Sequence, residues 1–106
     1  MNTFHNNYDT IEKLIFDMGL RIKAIDLVPQ TNNMIIYLNN NHIIKYKLSH
    51  IKAFKNVNKE SFMNYRLVAD GTGIHWPELD EDLSLKGFFK DFLKQKIKDE
   101  QELVIA

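Results

Sequence analysis

The chain has 106 residues, the length of one ordinary domain, and its 44% hydrophobic and 26% charged content suits a globular protein with a core of its own. Fourteen basic residues balance fourteen acidic ones and there is no cysteine, so disulfides, thiolate metal sites and cysteine nucleophiles are excluded. No basic start leads into an apolar run, and no apolar stretch approaches the ~20 residues that cross a bilayer, so the expectation is a cytoplasmic single domain spanning 1–106 with no membrane association.

Residues 1–8 are polar and expected to be frayed. Asp9 then reads as a helix N-cap, with Glu12 three residues on as its capping-box partner. Ile11, Leu14, Ile15 and Met18 fall at i, i+3, i+4, i+7, and Gly19 supplies a stop, which predicts a helix over 10–18. From Leu20 the pattern alternates, with Leu20, Ile22 and Ala24 inward and Arg21 and Lys23 outward. It slips phase at Ile25, which predicts a bulged strand over 20–28 ended by Pro29. Strands over 33–38 and 42–48 flank Asn39, Asn40 and Asn41, residues that tolerate the left-handed conformation a hairpin needs. In the second arm Ile44, Tyr46 and Leu48 share one face and Lys45 and Lys47 the other.

Ile51, Phe54 and Val57 anchor a turn or short helix, and Asn58 caps another short helix carrying Phe62 and Met63. A strand over 65–69, a type I′ turn at Asp70-Gly71 and a returning strand over 73–77 follow. Ser84 then opens the strongest helix, 84–96. Leu83 and Phe88 sit at hydrophobic-staple positions around it, and Leu85, Phe88, Phe89, Phe92 and Leu93 form one stripe. Phe88, Phe92 and Trp76 are expected in the core, and 99–106 as a flexible tail. The fold class that results is α+β: a curved antiparallel sheet of about five strands with a short N-terminal helix and a C-terminal amphipathic one.

The segment 73–89, GIHWPELDEDLSLKGFF, resembles the bacterial family called domain of unknown function 2442. Members show a similar Gly-Ile-His-Trp-Pro stretch leading into an acidic turn and a short hydrophobic helix. The resemblance covers about 20–93. Many members have an acidic residue just before the glycine, where this chain has Lys86. The resemblance implies a small α+β domain with a curved antiparallel sheet. It also implies one half of a two-gene module beside another small protein, in the manner of a toxin–antitoxin pair.

The residues themselves offer three functional readings. Glu78, Asp80, Glu81 and Asp82 place four carboxylates within five residues. Before a helix, negative charge is favoured by the N-terminal dipole, and that structural role is preferred; as a functional surface the run would steer a basic protein partner. Asp80-x-Asp82-x-Ser84 does not continue as a calcium loop, because Leu85 and Asp91 stand where glycine and glutamate are required. Lys45, Lys47, Lys52, Lys55, Lys59 and Arg66 give a basic stretch interleaved with Tyr46, Phe54 and Tyr65. That is the composition of a nucleic-acid surface, although Tyr46 also belongs to an apolar strand face. His75 with Glu78 or Asp80 could supply an acid–base pair, but no HExxH, nucleophile elbow or phosphate loop accompanies it. The expected function is therefore a non-enzymatic protein-binding module, the antitoxin-like component of a two-gene pair, without metal or cofactor. Its partner would be a small protein or a second copy of the chain. A nucleic-acid regulator is the alternative, and an enzyme centred on His75 the third reading.

Overall fold

The computed structural model describes the backbone of residues 6–105 and the side chains of residues 10–98. Helix α1 (Asn6–Asp17) leads into a three-stranded antiparallel sheet of β1 (Ile22–Val28), β2 (Asn33–Leu38) and β3 (Ile43–Lys47) in that order. A segment of 3₁₀ turns and a short helix α2 (Lys59–Met63) connect it to a second three-stranded antiparallel sheet. That sheet is β4 (Arg66–Val68), β5 (Gly73–Trp76) and β6 (Glu81–Ser84), again in chain order. Helix α3 (Leu85–Ile105) closes the chain.

The α+β class and the flanking helices are as expected, but six strands in two sheets replace one sheet of about five. The extra strand is β6, whose Trp76↔Glu81, His75↔Asp82, Ile74↔Leu83 and Gly73↔Ser84 pairs put half of the acidic run into a ladder. None of the four carboxylates lies in the first turn of α3, so the expected dipole role is not theirs. Ser84 does cap that helix, its Oγ accepting from the Gly87 N–H at 3.1 Å. The expected frayed segment 1–8 falls partly outside the described residues. From Asn6 the backbone is helical, which puts Asp9 inside α1 rather than at its cap. The chain from 97 to Ile105 continues α3, because Glu, Gln, Lys and Leu are good helix formers. The side chains of the expected flexible tail, 99–106, lie outside the described residues.

The bulge in β1 falls between Ile22 and Ala24, which turns Ala24 outward and leaves Ile25 buried. In the β2–β3 turn Asn41 takes φ +70°, as its side chain permits. Between β4 and β5, Asp70 and Gly71 occupy the centre of a turn closed by the Thr72 N–H on the Ala69 carbonyl at 3.1 Å. Ala69, Asp70 and Gly71 all have positive φ, at +52°, +56° and +84°. A Cβ on Gly71 would stand 3.4 Å from the Arg21 Cβ, so that position is tight as well as left-handed.

One apolar cluster draws on both sheets and all three helices. Met34 and Ile36 of β2, Ile74 and Trp76 of β5, and Leu85 of α3 are fully buried within it. Phe88 is buried as expected, while Phe92 is 62% exposed. Helix α3 packs over its first two turns; beyond them Leu93 and Ile97 are also exposed among the described residues.

Candidate functional site

The 3₁₀ turns after β3 carry an apolar residue followed by lysine at a spacing of three: Ile51-Lys52, then Phe54-Lys55. With three residues per turn, this spacing keeps the apolar side chains on one side and the lysines together at its edge. Asn58 caps α2 by accepting from the Ser61 N–H at 2.8 Å, which directs Phe62 inward. The end of β1 is brought opposite by Asn32. Its Nδ2 donates to Ser49 Oγ at 2.9 Å and its Oδ1 accepts from the Ser49 N–H at 2.9 Å.

These elements enclose an open groove of about 1130 Å³. Leu27, Leu48, Ile51, Phe54, Val57 and Phe62 make its apolar floor, while Lys52, Lys55 and Lys59 stand exposed around it. No carboxylate or imidazole lines it. The groove is above the usual range for small-molecule pockets, ~300–1000 Å³.

The motif that carries the family resemblance does not line this groove but supports the residues that do. Trp76 Nε1 donates to the Phe62 carbonyl at 2.9 Å, and Phe54 meets both Phe62 and Trp76 edge to face, at 5.2 and 4.9 Å between centroids. Glu78 accepts from Ser61 Oγ at 2.7 Å and from Asn64 Nδ2 at 2.8 Å. Those two bonds favour the ionised carboxylate and hold its pKa below the ordinary value. A five-residue helix has no stability of its own, so α2 depends on these anchors.

The other candidate residues are distributed as follows. Asp82 reaches across the ladder to His75, Oδ1 to Nδ1 2.6 Å. His75 is thus paired with Asp82, and not with the expected Glu78 or Asp80. The pair lies on a sheet face with Arg66 as the neighbour on β4, and His75 lines neither cavity described here. Asp80 takes φ +50° at the end of the β5–β6 turn, and neither Asp80 nor Glu81 has a side-chain hydrogen bond or ion pair among the described residues. Of the six basic residues, Lys45 and Lys47 lie on the exposed side of β3 and Arg66 on β4, while Lys52, Lys55 and Lys59 border the groove. The basic stretch was visible in sequence. The contributions of Leu27 and Pro29 were not, since they come from a distant strand end.

A second cavity of about 490 Å³ lies between α1 and the start of α3. Its charges are paired within it, Arg21 with Asp70 at 3.4 Å and Lys86 with Glu12 at 3.6 Å. Among the described residues there is no cluster of three or more His, Cys, Asp or Glu placed to hold a metal, and no helix long and apolar enough to cross a membrane.

Two solved structures are similar in fold. One is a crystal structure of a protein of unknown function from Rhodospirillum rubrum, 21% identical, with TM-score 0.60 over 68% of this chain and 87% of that one. The other is a solution structure of an uncharacterized protein from Chromobacterium violaceum, 18% identical, with TM-score 0.61 over 85% of this chain and 82% of that one. No curated protein matches significantly. The family described as protein of unknown function DUF2442 matches residues 22–93, which takes in both sheets, the groove and the first turns of α3. The chain belongs to the DUF2442 family.

Proposed function

We propose that this chain is a non-enzymatic protein-binding module, the antitoxin-like component of a two-gene pair, and that its groove takes an apolar segment of a small partner protein. The observation that carries the reading is the groove itself. It has an apolar floor and three exposed lysines, and no carboxylate or imidazole lines it. Phe54 supports a protein rather than a nucleic-acid ligand. Its ring is engaged edge to face by Phe62 and Trp76, so it is not a free platform for a base. Asp80 and Glu81, left without partners by the turn, serve as a second charged point for steering the same partner.

The test is co-expression of the tagged chain with the product of the adjoining gene, followed by nuclease treatment and affinity purification. Recovery of that product with the wild type and its loss with Lys52→Glu/Lys55→Glu is the expected result. Equal recovery with both overturns the groove as the binding site, and loss on nuclease treatment alone favours the nucleic-acid regulator.

A further inference from the structure

The molecule has an open apolar groove and a helix that extends past its own core. Beyond Asp91, which Tyr46 of β3 holds, Phe92, Leu93 and Ile97 of α3 are 62%, 47% and 58% exposed. Its final turns, residues 99–105, read DEQELVI: three carboxylates and then three consecutive apolar residues. The groove presents the complement, three lysines without a carboxylate around an apolar floor. The preceding part of α3 does not fit, because Lys90, Lys94, Lys96 and Lys98 outnumber Asp91 and would face the lysine rim.

Size agrees with charge. Seven helical residues at 1.5 Å per residue and ~10–12 Å across fill a cylinder of ~800–1200 Å³, against about 1130 Å³ in the groove. Reach agrees as well: the fourteen residues after Asp91 carry the helix end ~21 Å beyond the contact that Asp91 makes with Tyr46 of β3.

We propose that residues 99–105 of a second copy of this chain occupy the groove, and that the exchange is reciprocal. Each copy donates its α3 end and receives its partner's, which closes a two-fold dimer and leaves no open contact for further addition. This rests on the groove being a binding site, as argued above, and names its occupant when no other protein is bound. The dimer then competes with the partner of the two-gene pair for one surface.

The experiment is sedimentation velocity on the full chain from low to high micromolar concentration. A concentration-dependent dimer is expected for the wild type. Lys52→Glu/Lys55→Glu and Glu100→Lys/Glu102→Lys should each raise the concentration of half-dimerisation by at least ~10-fold, because each places like charges across the interface. All four substitutions in one chain should restore the dimer, an outcome that a merely misfolded variant would not give. Circular dichroism verifies that each variant is folded, and emission from Trp76, which packs on Phe54 under the groove, should shift with dimerisation. A wild type that stays monomeric throughout, a dimer insensitive to both reversals, or failure of the four-fold variant to recover overturns the proposal. If the wild type is monomeric but recovery of the adjoining gene product still depends on Lys52 and Lys55, self-docking falls and the groove reading stands.

Discussion

The acidic turn after Trp76 and the lysine rim of the groove are two charged regions of the chain, and the fold uses them differently. In the turn, Glu78 is bound to Ser61 and Asn64 and Asp82 to His75. Around the groove, Lys52, Lys55 and Lys59 stand exposed over an apolar floor. A carboxylate that accepts directly from a hydroxyl and an amide is positioned to hold an element in place. A ring of hydrated lysines over apolar surface contributes little to stability and much to what the surface attracts. The denser cluster thus ties two of its four carboxylates into the fold, and the sparser one borders the candidate site.

The largest effect that separates these regions lies behind both. Trp76 and Phe88 are 0% and 3% exposed, and Trp76→Ala or Phe88→Ala should each cost ~3–5 kcal/mol in chemical denaturation. Loss of less than ~1 kcal/mol from Trp76→Ala would show that α2 is not held as described.

A smaller loss is expected from Glu78→Gln, which keeps the shape but removes the charge that Ser61 and Asn64 bind. Because the folded pKa of Glu78 is depressed, its contribution is present above the unfolded pKa and disappears as pH falls through the folded value. The gap in stability between wild type and Glu78→Gln should accordingly close in acid. A gap that is constant with pH would assign the effect to something other than ionisation.

A contact outside both regions asks whether carboxylates elsewhere also serve the fold. Tyr46 donates to Asp91 at 2.6 Å, joining β3 to α3, and partial burial with that hydrogen bond pushes its pKa up to about 12. A raised pKa means that the stabilisation is complete below the unfolded value of 10.0 and is lost as pH rises toward about 12. Tyr37, which donates to Asp26, is raised as well, so ultraviolet titration should show a tyrosine step near 12 that Tyr46→Phe removes; a latest step that Tyr46→Phe leaves in place would refute it.

The smallest effects on stability belong to the groove and the projecting helix. Lys52→Glu, Lys55→Glu and Phe92→Ala should each fall within ~0.5 kcal/mol of the wild type. A large loss from either lysine change would move the rim from the binding surface into the fold and erase the contrast.

The long strands were legible because their alternation spans five or more residues: β2 buries Met34, Ile36 and Leu38 in strict turn. β6 was not. Glu-Asp-Leu-Ser offers a single strong apolar residue, and only its pairing with β5 defines it as a strand. Phe92 continues the stripe of α3 without a break, and periodicity alone does not tell where the neighbouring sheets end. The groove was half legible. The Lys and apolar residues of 51–59 stood out, but Leu27 arrives from a strand more than twenty residues earlier, and long-range closure leaves no local mark.

The three left-handed residues between β4 and β5 have a consequence for the unfolded chain. A Cβ in that conformation costs ~1–2 kcal/mol, and asparagine, aspartate and glycine bear the cost best, yet Ala69 sits there at φ +52°. Glycine at 69 would relieve the native state. It would also give the denatured chain freedom worth ~0.4–1 kcal/mol that alanine denies it. Much of the strain is thus matched by a narrower denatured ensemble, and the alanine acts as a constraint on the chain before it folds as well as a burden after.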